Sequence, residues 1–377
     1  MAPAAGLLAA AVLAAVAALA AHVAFNCPIE PGPLPPAPAS HYPPNNLLQM
    51  LEKLGEGVLD APEDVHVDAA AGGALYTATR DGWLQRMRPG NGSSWERWRF
   101  VGGTGLLGIT PSADGAMLVC DADKGLLRVG EDGEVTLLAS EVEGTAIRFA
   151  DAAVEASDGT VYFSDASTRF GFDRWILDFV ESRPTGRLLK YDPRTGGTSV
   201  VLDRLGFANG VALPRDEAFV VVCESRRFRC TKVWLKGEKS GQAETFVDNL
   251  PGGPDNIRLG SDGSFWIALL PVRSPWLDLV YRWTVTRRVV ASFPALLEWS
   301  KATAKGAMVA QVSEDGEILR LLDDSEGKVI NFVTSVTEYN GDLFLGSLAT
   351  NFVGKLSLAQ VTQEQGALGH QAISDKD

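Results

Sequence analysis

One pattern recurs six times along this chain and restricts its fold more than any other feature. A polar residue opens a short apolar strand, a tight turn follows, and a second, almost purely apolar strand runs back. Three copies are sharp: Phe207–Leu213 turning at Pro214–Glu217 into Ala218–Cys223, Pro254–Leu259 turning at Ser261-Asp262-Gly263 into Ser264–Leu270, and Phe149–Val154 turning at Ser157-Asp158-Gly159 into Thr160–Asp165. Three are looser: Pro62–Val67 with Ala74–Thr79, Leu106–Pro111 with Ala116–Asp121, and Phe332–Glu338 with Asp342–Leu348. Four of the six turn on Asp-Gly or Asn-Gly, which mark hairpins most strongly. Equivalent positions Glu63, Gly108, Asp151, Asn209 and Asp255 lie 45, 43, 58 and 46 residues apart, and Asp255 and Glu338 lie 83 apart. Short strands repeating every 40–50 residues or so are the mark of propeller blades. The spacing therefore predicts an all-β, six-bladed β-propeller over residues 51–358, with one insertion between blades five and six. A β-sandwich would need no repeat this regular.

The flanks differ in kind. No residue from Ala2 to Ile29 carries a formal charge, and Ala4–Phe25 is nearly all Ala, Leu and Val. Residues 1–26 therefore read as an N-terminal hydrophobic helix, either a signal anchor in the membrane or a signal peptide. Both place the propeller in the secretory pathway. Residues 27–50 read as a linker, with seven prolines in the fourteen residues Pro31–Pro44. The tail, 359–377, is polar and reads as fraying. Residues 272–305 read as one or two helices capping a mouth of the propeller, or as a membrane-facing patch, since Trp276, Tyr281, Trp283, Phe293 and Trp299 alternate there with arginines. Phe170–Glu181 reads as a second cap.

Asn91-Gly92-Ser93 is a glycosylation sequon. Of the four cysteines, Cys223 and Cys230 flank one turn and read either as a disulfide suited to an oxidising lumen or as two buried thiols. The net charge of −13 argues against nucleic acid or an anionic membrane surface as a partner. There is no zinc-type Cys/His spacing, no Gly-x-Ser-x-Gly elbow and no phosphate-cradling loop, so zinc, serine-hydrolase and nucleotide chemistry are unsupported.

The innermost strand of each blade lines the central channel, so its opening residue points at the axis. Those openings are Glu63, Leu107–Gly108, Asp151, Asn209, Asp255–Asn256 and Glu338. Carboxylates crowded on an axis repel and lose solvation unless a cation or protons compensate. A mixed Asp, Glu and Asn oxygen set suits calcium. One Ca2+ is expected in the channel on Glu63, Asp151, Asn209 and Asp255, with Asn256 beside it. The bland alternative is that these are turn residues chosen for their backbone.

The same residues carry a resemblance. Arg148–Asp151, Gly186–Pro193, Phe207–Val211, Cys223-Glu224-Ser225, Pro251–Ile257 and Gly346-Ser347-Leu348, taken in order, resemble the plant strictosidine synthase-like proteins and their animal counterpart, the adipocyte plasma membrane-associated protein. The resemblance runs from about Gly55 to Leu358. It implies a propeller related to paraoxonases and calcium-dependent lactonases, set in the endomembrane system or vacuole. It maps axial calcium ligands onto Glu63, Asp151, Asn209, Asp255 and Asn256. Ala152 stands where a second calcium would want a carboxylate, and Leu107 where paraoxonases carry a proposed histidine base. Glu338 looks like the acid/base glutamate of strictosidine synthase, which condenses an amine with an aldehyde in alkaloid biosynthesis.

Three functions follow as expectations. The first is a calcium-dependent hydrolase of a small ester or lactone, membrane-tethered by its N-terminal segment or secreted, taking a small-molecule substrate. The second is a Pictet–Spengler condensing enzyme using Glu338. The third is a non-catalytic ligand-binding propeller.

Overall fold

The computed structural model describes residues 2–34, 42–69, 71–90 and 94–374; Asn91 and the middle of the proline-rich stretch lie outside them. The chain divides into two compact units. One comprises Met1–Leu34, Arg174–Arg183 and Arg273–Ala304, and the other the remainder.

The larger unit is the six-bladed propeller: six four-stranded antiparallel sheets follow one another along the chain. Innermost strands are Val65–Asp68, Leu106–Pro111, Ala150–Glu155, Ala208–Ala212, Gly253–Leu259 and Val333–Tyr339. Each pairs through a tight turn with a strand buried nearly throughout, such as Phe219–Glu224 and Phe265–Leu270. The Asp-Gly turns work because glycine accepts the left-handed conformation, as at Gly159 (φ 84°) and Gly263 (φ 89°).

The sixth blade closes the ring. Its outermost strand is Glu52–Leu54, antiparallel to Val353–Ser357, so residues from both ends of the propeller share one sheet. That strand has only three residues, and neighbouring burial holds it: Leu47, Leu48 and Leu51 enter a core with Trp266, Leu322, Val336, Leu345 and Leu356. Val361 joins the same core. The tail, read from sequence as fraying, is helical over Leu358–Ser374, with Val361 as its apolar anchor. Cys223 and Cys230 lie directly opposite each other on adjacent strands of blade four and are disulfide-bonded.

The smaller unit is helical: α1 (Ala2–Asn26), α2 (Trp175–Glu181), α3 (Pro275–Tyr281), α4 (Thr284–Ala291) and α5 (Pro294–Thr303). The insertion thus forms three helices, not one or two. Pro275 and Pro294 each start a helix, and the Ser274 hydroxyl accepts the Leu277 amide at 3.2 Å to cap α3. The last turn of α1 is fastened to the insertion. The His22 ring stacks on Phe293 at 4.5 Å and donates from Nε2 to the Ser292 carbonyl at 3.1 Å. Buried Arg287 donates to the Gly32 carbonyl at 2.9 Å, and Glu181 accepts the Glu30 amide at 2.7 Å.

Leu48 is fully buried at the ring closure, so Leu48→Ala should cost about 2–5 kcal/mol. The measurement is the urea midpoint of the full chain, and an unshifted midpoint would show that this closure does not hold the ring.

Candidate metal centre

The centre is built by one repeated backbone irregularity. In five blades the innermost strand slips register against its neighbour close to the channel, between Leu106 and Ile109, Ala150 and Ala153, Ala208 and Val211, Pro254 and Ile257, and Val333 and Ser335. A bulge re-aims the side chains it carries. The bulged residues include Asp151, Asn209, Asp255 and Asn256, with Leu107 and Thr334 at the same phase. Glu63 precedes the first blade's strand, and the Thr334 hydroxyl fixes its backbone by donating to the Glu63 carbonyl at 2.6 Å.

Close approach between blades needs glycine at this level. A Cβ on Gly210 would collide with the Asp255 carbonyl, one on Gly346 with the Glu63 carbonyl, and one on Gly108 would sit 2.6 Å from the Asp151 carbonyl. These glycines let the acidic residues of consecutive blades crowd inward.

The result is a dense acidic group. Carboxylate oxygens of Glu63, Asp151 and Asp255 lie within 4.8 Å of one another, and all three residues are 2–4% exposed. Asn209 hydrogen-bonds the Asp255 carboxylate, and Asn256 Nδ2 donates to Glu63 Oε1 at 3.0 Å. Two oxygens are left buried without a hydrogen-bond partner, Glu63 Oε2 and Asn209 Oδ1. Burial, then the neighbouring Asp64 and Asp151 charges, pushes the Glu63 carboxyl well above the usual range. Burial, then Glu63 and Asp151, does the same to Asp255. Burial pushes Asp151 up to about 8 against the opposing pull of Arg80. Such a set must hold protons or a cation. An oxygen-only donor set with two orphaned oxygens fits a hard divalent ion such as calcium.

Three residues around the group escaped the sequence reading. Fully buried Asp64 pairs with Arg258 and accepts the Ile109 amide at 2.9 Å, while Arg258 donates onward to the Ile109 carbonyl at 2.8 Å and Thr110 Oγ1 at 3.2 Å. Arg80 lies over the Phe172 ring at 4.0 Å and feels the Glu63 and Asp151 charges. Only the Asp-Val-His run after Glu63 hinted at Asp64; the arginines gave no local signal.

Glu338 requires a correction. It sits at the far end of its strand, not at the opening, because Thr334 occupies the bulge phase in blade six. Its carboxylate accepts the Trp266 indole N–H at 2.9 Å and the Ser261 hydroxyl, which ties blade six to the turn of blade five.

Residues 151–238 match the strictosidine synthase family, and residues 41–87 match the strictosidine synthase-like N-terminal family. Protein STRICTOSIDINE SYNTHASE-LIKE 4 of Arabidopsis thaliana is 35% identical over 314 residues, covering 81% of this chain and 82% of the relative. The chain belongs to the strictosidine synthase-like family. The adipocyte plasma membrane-associated protein of Bos taurus is 33% identical over 364 residues, covering 90% of this chain and 87% of that one. Among solved structures, a gluconolactonase from Xanthomonas campestris shares the fold with TM-score 0.58 at 15% identity, over 86% of this chain and 98% of its own. The calcium-binding protein regucalcin from Agrobacterium tumefaciens does so with TM-score 0.54 at 14% identity, over 81% and 92%.

Two outcomes test the centre. The three raised carboxyls bind protons in the folded chain that they release when unfolded, where an Asp titrates near 3.9. Without a cation the folding stability should therefore fall as pH rises from about 4 towards 8. Calcium should abolish that slope in melting curves of chelator-treated protein; a flat apo profile would contradict the centre. Gly210→Ala should displace the Asp255 backbone and weaken calcium binding in calorimetry, and unchanged affinity would show that the close approach is not needed.

Proposed function

We infer that this propeller is a calcium-dependent hydrolase of a small ester or lactone. The observation that carries the reading is the buried trio Glu63, Asp151 and Asp255 with the partnerless oxygens of Glu63 and Asn209 beside it. A hydrolytic role is further supported by the fold shared with a gluconolactonase and a calcium-binding protein.

Glu63, Asp151, Asn209 and Asp255 would hold the ion. A cation there supplies positive charge against the oxyanion that develops when an acyl carbonyl is attacked. The chain's own residues set up that charge. Asn256 occupies Glu63 Oε1 and so leaves Oε2 for ligation. Asn209 steadies Asp255 through its amide while keeping Oδ1 available. Arg258 pairs with Asp64 and offsets part of its charge, and the remainder still pushes the Glu63 carboxyl upward. Asp151, pushed up to about 8, and Glu63 and Asp255, both pushed well above the usual carboxylate range, are the groups whose protons a bound cation would displace.

The helix α1 supports retention as a membrane tether rather than removal as a signal peptide. A cleaved leader has no reason to pack on the mature domain, whereas His22 both stacks on Phe293 and bonds Ser292. Ala5–Asn26 is 22 residues long and contains an 18-residue stretch with a mean hydropathy of 2.4, enough to cross a bilayer. The tethered propeller would then face an endomembrane lumen, where the Cys223–Cys230 bond is at home.

The test uses the full-length protein in detergent with a panel of lactones and aryl esters. Asp255→Ala should abolish calcium binding in calorimetry and lower turnover at least about 100-fold. Glu338→Gln should leave turnover unchanged. Calcium binding with no turnover on the panel would favour a binding module. Amine–aldehyde condensation lost in Glu338→Gln would favour a condensing enzyme instead.

A further inference from the structure

We propose that the corner joining α3 to α4 lies in the headgroup region of the membrane that α1 crosses, making the helical unit an interfacial platform as well as an anchor. The proposal rests on α1 being retained as a membrane span. Leu279, Trp283 and Val285 expose 45%, 51% and 70% of their surface within seven residues, in an insertion that buries Leu277, Val280, Tyr281, Val290 and Leu297 and exposes Trp299 elsewhere, on α5. Large apolar side chains grouped on one exposed corner mark an interaction surface.

Two further observations select a lipid surface as the occupant. The first is continuity. A 22-residue apolar helix rises about 33 Å, close to the thickness of the hydrocarbon core, so its last turn emerges at the headgroups. That last turn is where His22 is locked to Ser292 and Phe293, at the junction of α4 and α5. Buried Arg287 fixes α4 to Gly32 just beyond the span. The insertion is thereby fastened at the level where α1 leaves the bilayer.

The second is composition. Residues 272–305 hold six basic and two acidic residues, in a chain whose net charge is −13. Arg282 lies over the Trp283 ring at 5.0 Å, and Arg288 is exposed one turn along α4. Trp beside Arg, with Leu and Val projecting past them, suits a layer that offers apolar chains below and phosphates above. The acidity of the whole chain argues against an anionic surface, but the local sign at this corner is reversed.

The test places a nitroxide on the full-length protein bound to vesicles of phosphatidylcholine and phosphatidylserine. Val285→Cys is labelled in a Cys27→Ser background, where Cys120 is buried and Cys223 and Cys230 are bonded. Leu319→Cys, exposed on an outer strand of blade five, is the reference. The expected result is a ratio of oxygen to nickel-chelate accessibility severalfold higher at 285 than at 319. Co-sedimentation with a water-like ratio at 285 would overturn the platform and leave the tether standing. Failure to co-sediment would overturn both. Dipolar broadening between labels, with both relaxants excluded, would assign the corner to a second copy of the chain and likewise overturn the proposal.

Discussion

Three carboxylates with oxygens inside 4.8 Å, all out of reach of water, are the constraint that the propeller is built around. No packing arrangement makes that closeness favourable by itself, because burial and mutual repulsion both oppose the charged forms. The fold accepts the strain because each acid comes from a different blade and is backed by a different apolar core packed between neighbouring blades. The cost is thus spread over separate cores rather than falling on one. The neighbouring charges divide into two classes. Asp64 forms an ion pair with Arg258 within the fold, whereas Glu63 and Asp255 take amide hydrogen bonds from Asn256 and Asn209, and Glu63 and Asp151 feel the Arg80 charge. That division separates a structural ion pair from a group arranged to take something from outside.

The geometry comes from a backbone device and not from the side chains alone. A bulge at the same phase in successive blades turns one residue towards the axis, and glycine in an adjacent blade lets the next backbone come close. The pair Asn209-Gly210 does both at once: the first residue contributes an oxygen, and the second makes room for the backbone that carries Asp255. Where the bulge carries Leu107 or Thr334 there is no carboxylate, so the acids do not form a full circle.

Hairpins announced by Asp-Gly turns and alternating apolar strands are local in sequence, so the blades and their number could be read from spacing. The shared phase of Glu63, Asp151, Asn209 and Asp255 was visible for the same reason. Glu338 lies away from the opening, which the sequence does not show: the sixth copy carries Asn-Gly only in its turn, at Asn340-Gly341, and counting from the turn does not reveal a slipped register. The pairing of Arg258 with Asp64 gave no sequence signal because they belong to blades five and one, 194 residues apart. The strand Glu52–Leu54 has too few residues to show a period, and its partner lies 300 positions away. The three-helix insertion was read as fewer helices because the breaks at Arg282-Trp283 and Ser292-Phe293 carry no glycine.

The shared sheet that joins Glu52–Leu54 to Val353–Ser357 also sets a condition on how the protein is made. During synthesis the first of these segments leaves the ribosome some three hundred residues before the second. Until the last blade emerges, the strand Val353–Ser357 does not exist to meet it, and the growing ring keeps an unpaired edge. Such edges invite pairing with other chains. Completion of the circle therefore waits for the last blade. Until then folding helpers rather than its own neighbours guard the leading segment.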